Sequence, residues 1–448
     1  MAQMRAYGDE QQQQESLHGH GRDKDGAGGG ESNKKARAGL CGVLRERKVL
    51  ELARAKQRLV EVPYTATLAN AANALLAGRV SAVTVAAPPG HWIGAGGSMI
   101  VESDPATGVA RKHYIGMVNM LDILTHIAEA GHDDDAAAVG NGPAAPPEAI
   151  DLDHRMSVPV SSVIGHSLEG LTLWTFHPNT SLLDCMETFS KGVHRALVPL
   201  ESSAENVVAV ELVESAPVYR MLTQMDVVRF LRAHGAELGG VLSRTVRELG
   251  AASEAVLAVA NRTKVIEAIR TMRAGSLTAV PVVDAPVDAY ILQDGRGKKV
   301  VETFSATDLR DCPVAQLRSW LGTTVAEFKK KVAEYRRDGS KPLDAATGVQ
   351  ATDDGDTAGT TVDAGGVAGT GNEEKPPRPR EMVTCSMDST LGEVIEKAAA
   401  SHVHRLWVVD DGEEALLRGV VSLTDVLRVV REAALDEDRE LQNFVVLE

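Results

Sequence analysis

Residues 419–430 read GVVSLTDVLRVV, a short apolar strand that runs directly into an amphipathic helix. The junction carries three small polar residues, Ser422, Thr424 and Asp425. Such side chains cap the first turn of a helix, and they also stand beside its free N–H groups, where an anion can bind. A single copy leaves both interpretations open, so the first question is whether the chain repeats the pattern.

The same junction occurs four times. Its versions read YIGMVNMLDIL, VYRMLTQMDVV, VETFSATDLR and GVVSLTDVL, and in each an Asp follows a Ser, Thr or Asn by three residues. The four pairs are Asn119 and Asp122, Thr223 and Asp226, Ser305 and Asp308, and Ser422 and Asp425. One polar spacing shared by four strand–helix junctions indicates an internal repeat.

A helix and a strand are predicted in front of every junction. The helices are predicted over residues 66–78, 180–192, 263–275 and 389–401, and three of them open at a Ser or Thr suited to capping. The strands VSAVTVA, VHRALVPL, LTAVPVVD and VHRLWVVD follow, and all are rich in β-branched residues. One short sheet with two helices cannot bury both of its faces, so the repeats are expected to pair in an α/β (α+β) fold.

Gly-, Pro- and charge-rich stretches separate the repeats and have the composition of linkers. The predicted organisation is a disordered N-terminal tail (1–40), repeat 1 (41–130), a flexible linker (131–156), repeat 2 (157–239), repeat 3 (240–338), a disordered insert (339–380), repeat 4 (381–436) and a C-terminal tail (437–448).

Composition excludes several classes of function. The net charge of the 448 residues is -15, which argues against nucleic-acid and anionic-membrane partners, and no apolar run approaches the roughly 18 residues that span a bilayer. The four cysteines form no CxxC pair, so neither a zinc site nor a disulfide framework is expected, and a reducing compartment is predicted. The glycines of residues 90–99 lack P-loop spacing. A non-catalytic cytoplasmic protein is predicted, and an additional nuclear location is left open.

The helix, the strand VHRLWVVD and the junction GVVSLTDVL together resemble a cystathionine-β-synthase (CBS) domain. Four such repeats in one chain resemble the γ regulatory subunit of AMP-activated protein kinase. Residues 59–80, 86–100 and 167–195 are similar to the plant γ-type subunits of the sucrose-non-fermenting-related kinase. The resemblance covers about residues 40–435 without the linkers. It implies two modules of paired repeats that stack as a disk.

The resemblance also implies ligands, partners and site residues. Adenine nucleotides (AMP, ADP or ATP) would be regulatory ligands rather than obligatory cofactors, no metal site is implied, and the kinase catalytic α and regulatory β subunits would be the partners. The carboxylates implied to bind ribose hydroxyls are Asp122, Asp226, Asp308 and Asp425. The residues implied to lie at the phosphates are Thr223, Ser305, Ser422 and the two His-Arg pairs His194, Arg195, His404 and Arg405.

Three departures from the mammalian-type γ subunits affect this prediction. Ser81 and Ala306 stand where those subunits carry cations, and Met225 rather than a basic residue precedes Asp226. Because the two His-Arg pairs are the only expected cations, the phosphates are predicted to be neutralised less completely than in the mammalian-type γ subunits. The alternative function is therefore a CBS-domain scaffold that binds no nucleotide.

Overall fold

The computed structural model describes residues 39–87, 114–137, 152–164, 173–200, 218–286, 288–310, 312, 314–338, 382–412 and 414–446. The predicted disordered insert and nearly all of the predicted N-terminal tail lie outside the described residues, as does the glycine-rich stretch 90–99.

Thirteen α-helices and twelve short strands alternate along the described residues. The helices are α1 (Leu40–Glu46), α2 (Val49–Arg54), α3 (Leu68–Ala77), α4 (Met120–Ala137), α5 (Leu152–Met156), α6 (Leu182–Ser190), α7 (Gln224–Ala233), α8 (Val265–Ala274), α9 (Ala306–Arg310), α10 (Leu317–Trp320), α11 (Val325–Asp338), α12 (Leu391–Ser401) and α13 (Leu423–Val446). The strands are β1 (Glu61–Pro63), β2 (Val83–Ala86), β3 (Tyr114–Val118), β4 (Arg195–Pro199), β5 (Tyr219–Thr223), β6 (Ala258–Ala260), β7 (Ala279–Val283), β8 (Ile291–Leu292), β9 (Val300–Ser305), β10 (Thr384–Cys385), β11 (Arg405–Val409) and β12 (Leu417–Ser422).

The predicted α/β repeat is confirmed. The order helix, strand, strand, helix recurs as α3-β2-β3-α4, α6-β4-β5-α7, α8-β7-β9-α9 and α12-β11-β12-α13, with the two strands antiparallel each time. Three repeats also contain a strand that the sequence did not predict. β1, β6 and β10 precede the first helix and pair in parallel with β2, β7 and β11. At two or three residues they are too short to show a period-2 pattern.

Each of the four first helices begins two residues later than predicted. Their N-caps are Thr67, Ser181, Lys264 and Thr390. In repeat 2 the Ser181 hydroxyl accepts a hydrogen bond from the Asp184 N–H, and in repeat 4 the Thr390 hydroxyl accepts one from the Glu393 N–H. The predicted caps Thr180, Thr263 and Ser389 are wrong, because each lies one residue before the observed N-cap. The Thr263 hydroxyl donates instead to the Tyr290 carbonyl at 2.6 Å.

Each first helix is bridged to a segment outside its own helix–strand–strand–helix unit. Leu182 of α6 donates its N–H to the Arg47 carbonyl at 2.9 Å, beside α2. Val265 of α8 donates to the Thr323 carbonyl at 3.0 Å, beside α11. Equivalent bonds join α3 to residue 158 and α12 to residue 244. Short elements from elsewhere in the chain are therefore fixed against each repeat.

The sheets pair the repeats as predicted. Tyr114 of repeat 1 and Tyr219 of repeat 2 meet edge to face with ring centroids 5.9 Å apart. In repeats 3 and 4, the Trp407 indole N–H donates to the Thr303 hydroxyl at 2.7 Å. Repeats 1 and 2 thus form one module, and repeats 3 and 4 form the other.

The helices join the two modules. One buried cluster combines helices of repeats 1 and 3, and Arg270 of α8 donates to the Ala128 carbonyl of α4 at 2.8 Å. A second cluster combines helices of repeats 2 and 4, where Arg232 pairs with Glu396 at 2.6 Å. Each repeat therefore packs its sheet against one neighbour and its helices against another.

Two predicted boundaries differ from the observed elements. Helix α13 continues through the predicted C-terminal tail to Val446, and the Leu40 N–H donates to Glu437 at 3.2 Å at the start of α1. The predicted linker 131–156 begins within α4 and ends with α5. Charged and alanine-rich linker composition is compatible with helix, and composition alone could not separate the two states.

Candidate functional site

The four junctions share one hydrogen-bonded geometry. In repeat 2, Oδ2 of Asp226 accepts from the Thr223 N–H at 2.9 Å and from the Thr223 hydroxyl at 2.7 Å. Ser305 and Asp308 repeat the arrangement at 2.9 and 2.8 Å. Asn119 and Asp122 exchange side-chain bonds with backbone N–H groups at 2.9 and 3.1 Å.

Repeat 4 completes the set. Oδ2 of Asp425 accepts from the Ser422 N–H at 2.9 Å and from its hydroxyl at 2.5 Å. Each junction therefore caps its helix, with one carboxylate oxygen committed to the cap. The other oxygen, Oδ1, decides what else the junction can bind.

Each His-Arg pair stands at the start of a strand, opposite its own junction. Arg195 faces Thr223 in the β4–β5 register, and Arg405 faces Ser422 in β11–β12. Both guanidinium groups reach across to the other repeat of the module. Arg195 donates to the Ser81 hydroxyl at 3.2 Å.

Arg405 makes the corresponding contact more tightly. It donates to the Thr278 hydroxyl at 2.6 Å and to the Ala279 carbonyl at 2.7 Å. Burial of the guanidinium lowers the pKa of Arg405 to about 10, while Asp425 raises it. The group is still a cation at neutral pH, and it ties repeat 4 to repeat 3.

A cavity of about 510 Å³ opens among residues of all four repeats. This volume is within the roughly 300–1,000 Å³ range of small-molecule sites. Eight of the predicted site residues line it: Thr223, Asp226, Ser305, Asp308, His194, Arg195, His404 and Arg405.

The three remaining predicted residues do not line this cavity. They are Asp122, Ser422 and Asp425, although Asn119 of the first junction does. The cavity therefore brings together the junctions of repeats 2 and 3 with both His-Arg pairs. The junction of repeat 4 lies outside it.

The cavity is strongly cationic. Its described lining includes eight Lys or Arg side chains against three carboxylates, an excess of five positive charges in a chain of net charge -15. The expectation that the two His-Arg pairs would be the only cations is wrong. The cations that it missed are Lys56, Arg58, Arg79, Arg229, Arg310 and Lys329.

The origin of these residues explains why they were missed. Lys56 follows α2, Lys329 lies in α11, and Arg229 lies one turn beyond a junction. None occupies a motif position, so only the fold brings them to the cavity. No group of three or more His, Cys, Asp or Glu suited to a metal ion occurs in the part of the chain that the structure describes. Within that same part, every helix is too short or too polar to cross a membrane.

The four repeats and their strand–helix junctions define a CBS-domain protein, and the CBS-domain family model matches residues 379–432. Two Arabidopsis thaliana relatives extend the likeness to most of the chain. The SNF1-related protein kinase regulatory subunit gamma-like PV42a is 48% identical over 84% of this chain and 92% of its own. Its relative PV42b is 46% identical over 87% of this chain and 95% of its own. The chain belongs to this family of regulatory subunit γ-like proteins.

A solved structure agrees with the fold. A Methanocaldococcus jannaschii protein, described as a proposed archaeal homologue of γ-AMPK, matches with a TM-score of 0.51 over 85% of this chain and 99% of that chain. Its sequence is only 14% identical, so the match supports the four-repeat fold alone.

Proposed function

We propose that the chain is a non-catalytic γ-type subunit of a Ser/Thr protein kinase complex that binds adenine nucleotides in its central cavity. The observation that carries the proposal is the cavity itself, where two His-Arg pairs and two junction carboxylates meet within an excess of five positive charges. Its ligand would be AMP, ADP or ATP, its partners would be the catalytic α and regulatory β subunits, and its location would be the cytoplasm.

The chemistry of the cavity fits a nucleotide. Guanidinium and ammonium groups bind phosphate through charge-assisted hydrogen bonds, and arginine presents a planar pair of donors. A carboxylate accepts hydrogen bonds from hydroxyl groups such as those of ribose. Small residues beside the His-Arg pairs, including Ala82 and Ala279, leave room for a flat base. A bound nucleotide would change kinase activity only through its different affinities for the two states of the complex.

Isothermal titration of the purified chain with AMP, ADP and ATP tests nucleotide binding. The variant His404→Ala removes an exposed side chain that lines the cavity, whereas Arg405→Ala would also break the bonds that hold repeat 3. We expect binding that weakens at least tenfold in His404→Ala, which corresponds to about 1.4 kcal/mol. The control is His154→Ala, an exposed histidine on α5 outside the cavity lining.

Absence of binding by all three nucleotides at millimolar concentration would contradict the proposal. The scaffold alternative would then be favoured. One observation supports it: Asp226, Asp308 and Arg405 already make hydrogen bonds with other residues of the chain in this structure. Co-expression with kinase α and β subunits then tests whether the chain is a scaffold that assembles with the kinase. A complex that forms but ignores nucleotides supports a scaffold, and no complex at all contradicts both functions.

A further inference from the structure

Two lysines from outside the helix–strand–strand–helix units hold the junction carboxylates of the cavity. Nζ of Lys56 donates to Oδ1 of Asp226 at 2.8 Å. Nζ of Lys329 donates to Oδ1 of Asp308 at 3.1 Å and lies 3.5 Å from Glu302. Repeats 2 and 3 thus have the same carboxylate oxygen covered by an ammonium group.

The two lysines occupy related places in the fold. Lys56 follows α2, which is bridged to the first helix of repeat 2 at Lys48 and Ser181. Lys329 lies in α11, which is bridged to the first helix of repeat 3 through Thr324. The segment that carries Lys56 is fixed against repeat 2, and Lys56 reaches the junction of repeat 2. Lys329 has the same relation to repeat 3.

The position of Lys56 is further fixed by its backbone. The guanidinium Nε of Arg220, on β5, donates to the Lys56 carbonyl at 2.9 Å. The Lys56 N–H donates to the Ala53 carbonyl at 3.0 Å. The Lys56 side chain therefore reaches Asp226 from a backbone that is held in place by two hydrogen bonds.

The hydrogen-bonding capacity of Asp226 limits what a ligand can gain there. A carboxylate has about four acceptor positions. The Thr223 N–H and hydroxyl occupy two of them, and Lys56 occupies a third. A ribose 2′,3′-diol needs two acceptor positions side by side, so Lys56 must move before both hydroxyls can bind.

The junction of repeat 4 is different. Among the described residues, the nearest cation to Oδ1 of Asp425 is Arg428 at 3.9 Å. The Asp425 side chain is 22% exposed, against 8% for Asp226 and 3% for Asp308. Capping a helix does not require the lysine contact, so that contact in repeats 2 and 3 is an additional feature.

We propose that Lys56 and Lys329 are specificity-determining residues, which make the clefts of repeats 2 and 3 accept nucleotides and reject uncharged nucleosides. The proposal rests on nucleotide binding in the cavity. A nucleoside that takes the junction carboxylate deprives a partly buried ammonium group of its shortest ionic contact, which is unfavourable. A nucleotide brings a phosphate into the same cavity, and the displaced lysine gains that phosphate as its partner.

The test compares adenosine, 2′-deoxyadenosine and AMP as calorimetric probes of the full chain and of Lys56→Met. We expect Lys56→Met to bind adenosine about tenfold more tightly, because the carboxylate is no longer covered. Affinity for 2′-deoxyadenosine, which lacks the diol, should change less than about threefold. The preference for AMP over adenosine should therefore fall about tenfold.

Matched variants separate this effect from a general loosening of the fold. Lys191→Met removes an exposed lysine whose 3.1 Å contact is with Glu187, and it should leave all three affinities unchanged. Lys56→Arg keeps the charge and should retain the preference for AMP. Lys329→Met should repeat the gain in adenosine affinity at the other cleft.

Each outcome has a definite meaning. If AMP binds to the wild type but adenosine affinity is unchanged or lower in Lys56→Met, the role of the lysines is overturned while the proposed function stands. An equal gain for adenosine and 2′-deoxyadenosine would also overturn it, because enlargement of the cavity would explain that result. If AMP fails to bind to the wild type, the proposed function and this inference both fail.

Discussion

Replacement of Phe304 by alanine is expected to lower the free energy of unfolding by about 3–5 kcal/mol, the usual effect of removing a buried aromatic side chain. Phe304 lies on β9 with 0% exposure, opposite Val280 on β7. Its ring meets Phe328 of α11 edge to face, with centroids 5.8 Å apart. The loss would reach the whole cluster that joins repeats 1 and 3, because the sheet and the crossing helix both pack against this ring.

Urea unfolding followed by circular dichroism measures this loss. The matched control is Val301→Ala, which lies on the same strand but is 42% exposed and should cost less than about 1 kcal/mol. Equal losses in the two variants would contradict the observed orientation of β9, in which Phe304 is buried and Val301 is exposed. A normal stability for Phe304→Ala would contradict the packing of repeat 3 against α11.

Replacement of Asp308 by alanine is expected to destabilise the chain by about 3–5 kcal/mol, because it breaks a buried ion pair and removes a helix cap. The carboxylate is 3% exposed and Lys329 is 15% exposed. After the substitution, Lys329 keeps only Glu302, at 3.5 Å, as an anionic neighbour among the described residues. An incompletely paired ammonium group would then remain in the cavity wall.

The control for the cap is Asp425→Ala. Asp425 makes the same bonds with Ser422, but its side chain is 22% exposed and no lysine pairs with it among the described residues. We expect a loss of about 1 kcal/mol, which is typical of a cap alone. Equal losses at the two positions, measured by urea unfolding, would show that the Lys329 pair adds nothing to stability.

The repeat could be predicted because its signals are local. The spacing of Ser422 and Asp425, repeated at three other junctions, follows from strand–helix geometry within a few residues. Pairing of repeats followed from the need to bury both faces of a sheet. The short strands β1, β6 and β10 could not be predicted, because two or three residues form a strand only when a partner is already in place.

The polar site was only partly predictable for a related reason. The His-Arg pairs were identified by their repetition in repeats 2 and 4, and both line the cavity. Lys56 and Lys329 carry no shared motif, and their contacts span 170 and 21 residues of chain. The bonds from Arg195 to Ser81 and from Arg405 to Thr278 likewise depend on the pairing of repeats.

These bonds also change the interpretation of the positions at which this chain differs from the mammalian-type γ subunits. Ser81 was interpreted as a missing cation, yet its hydroxyl accepts from Arg195 of the neighbouring repeat. Positive charge enters the cavity from α11 and from the segment after α2 instead. A different set of residues thus supplies the cations.

The most direct test of nucleotide binding is a crystal structure of the chain grown with AMP. We expect the phosphate to lie in the cavity between the two His-Arg pairs, within hydrogen-bonding distance of at least one arginine, and the ribose to lie at a junction carboxylate. A phosphate bound at another surface, or a cavity that contains only solvent while AMP is present at saturating concentration, would contradict the proposed site.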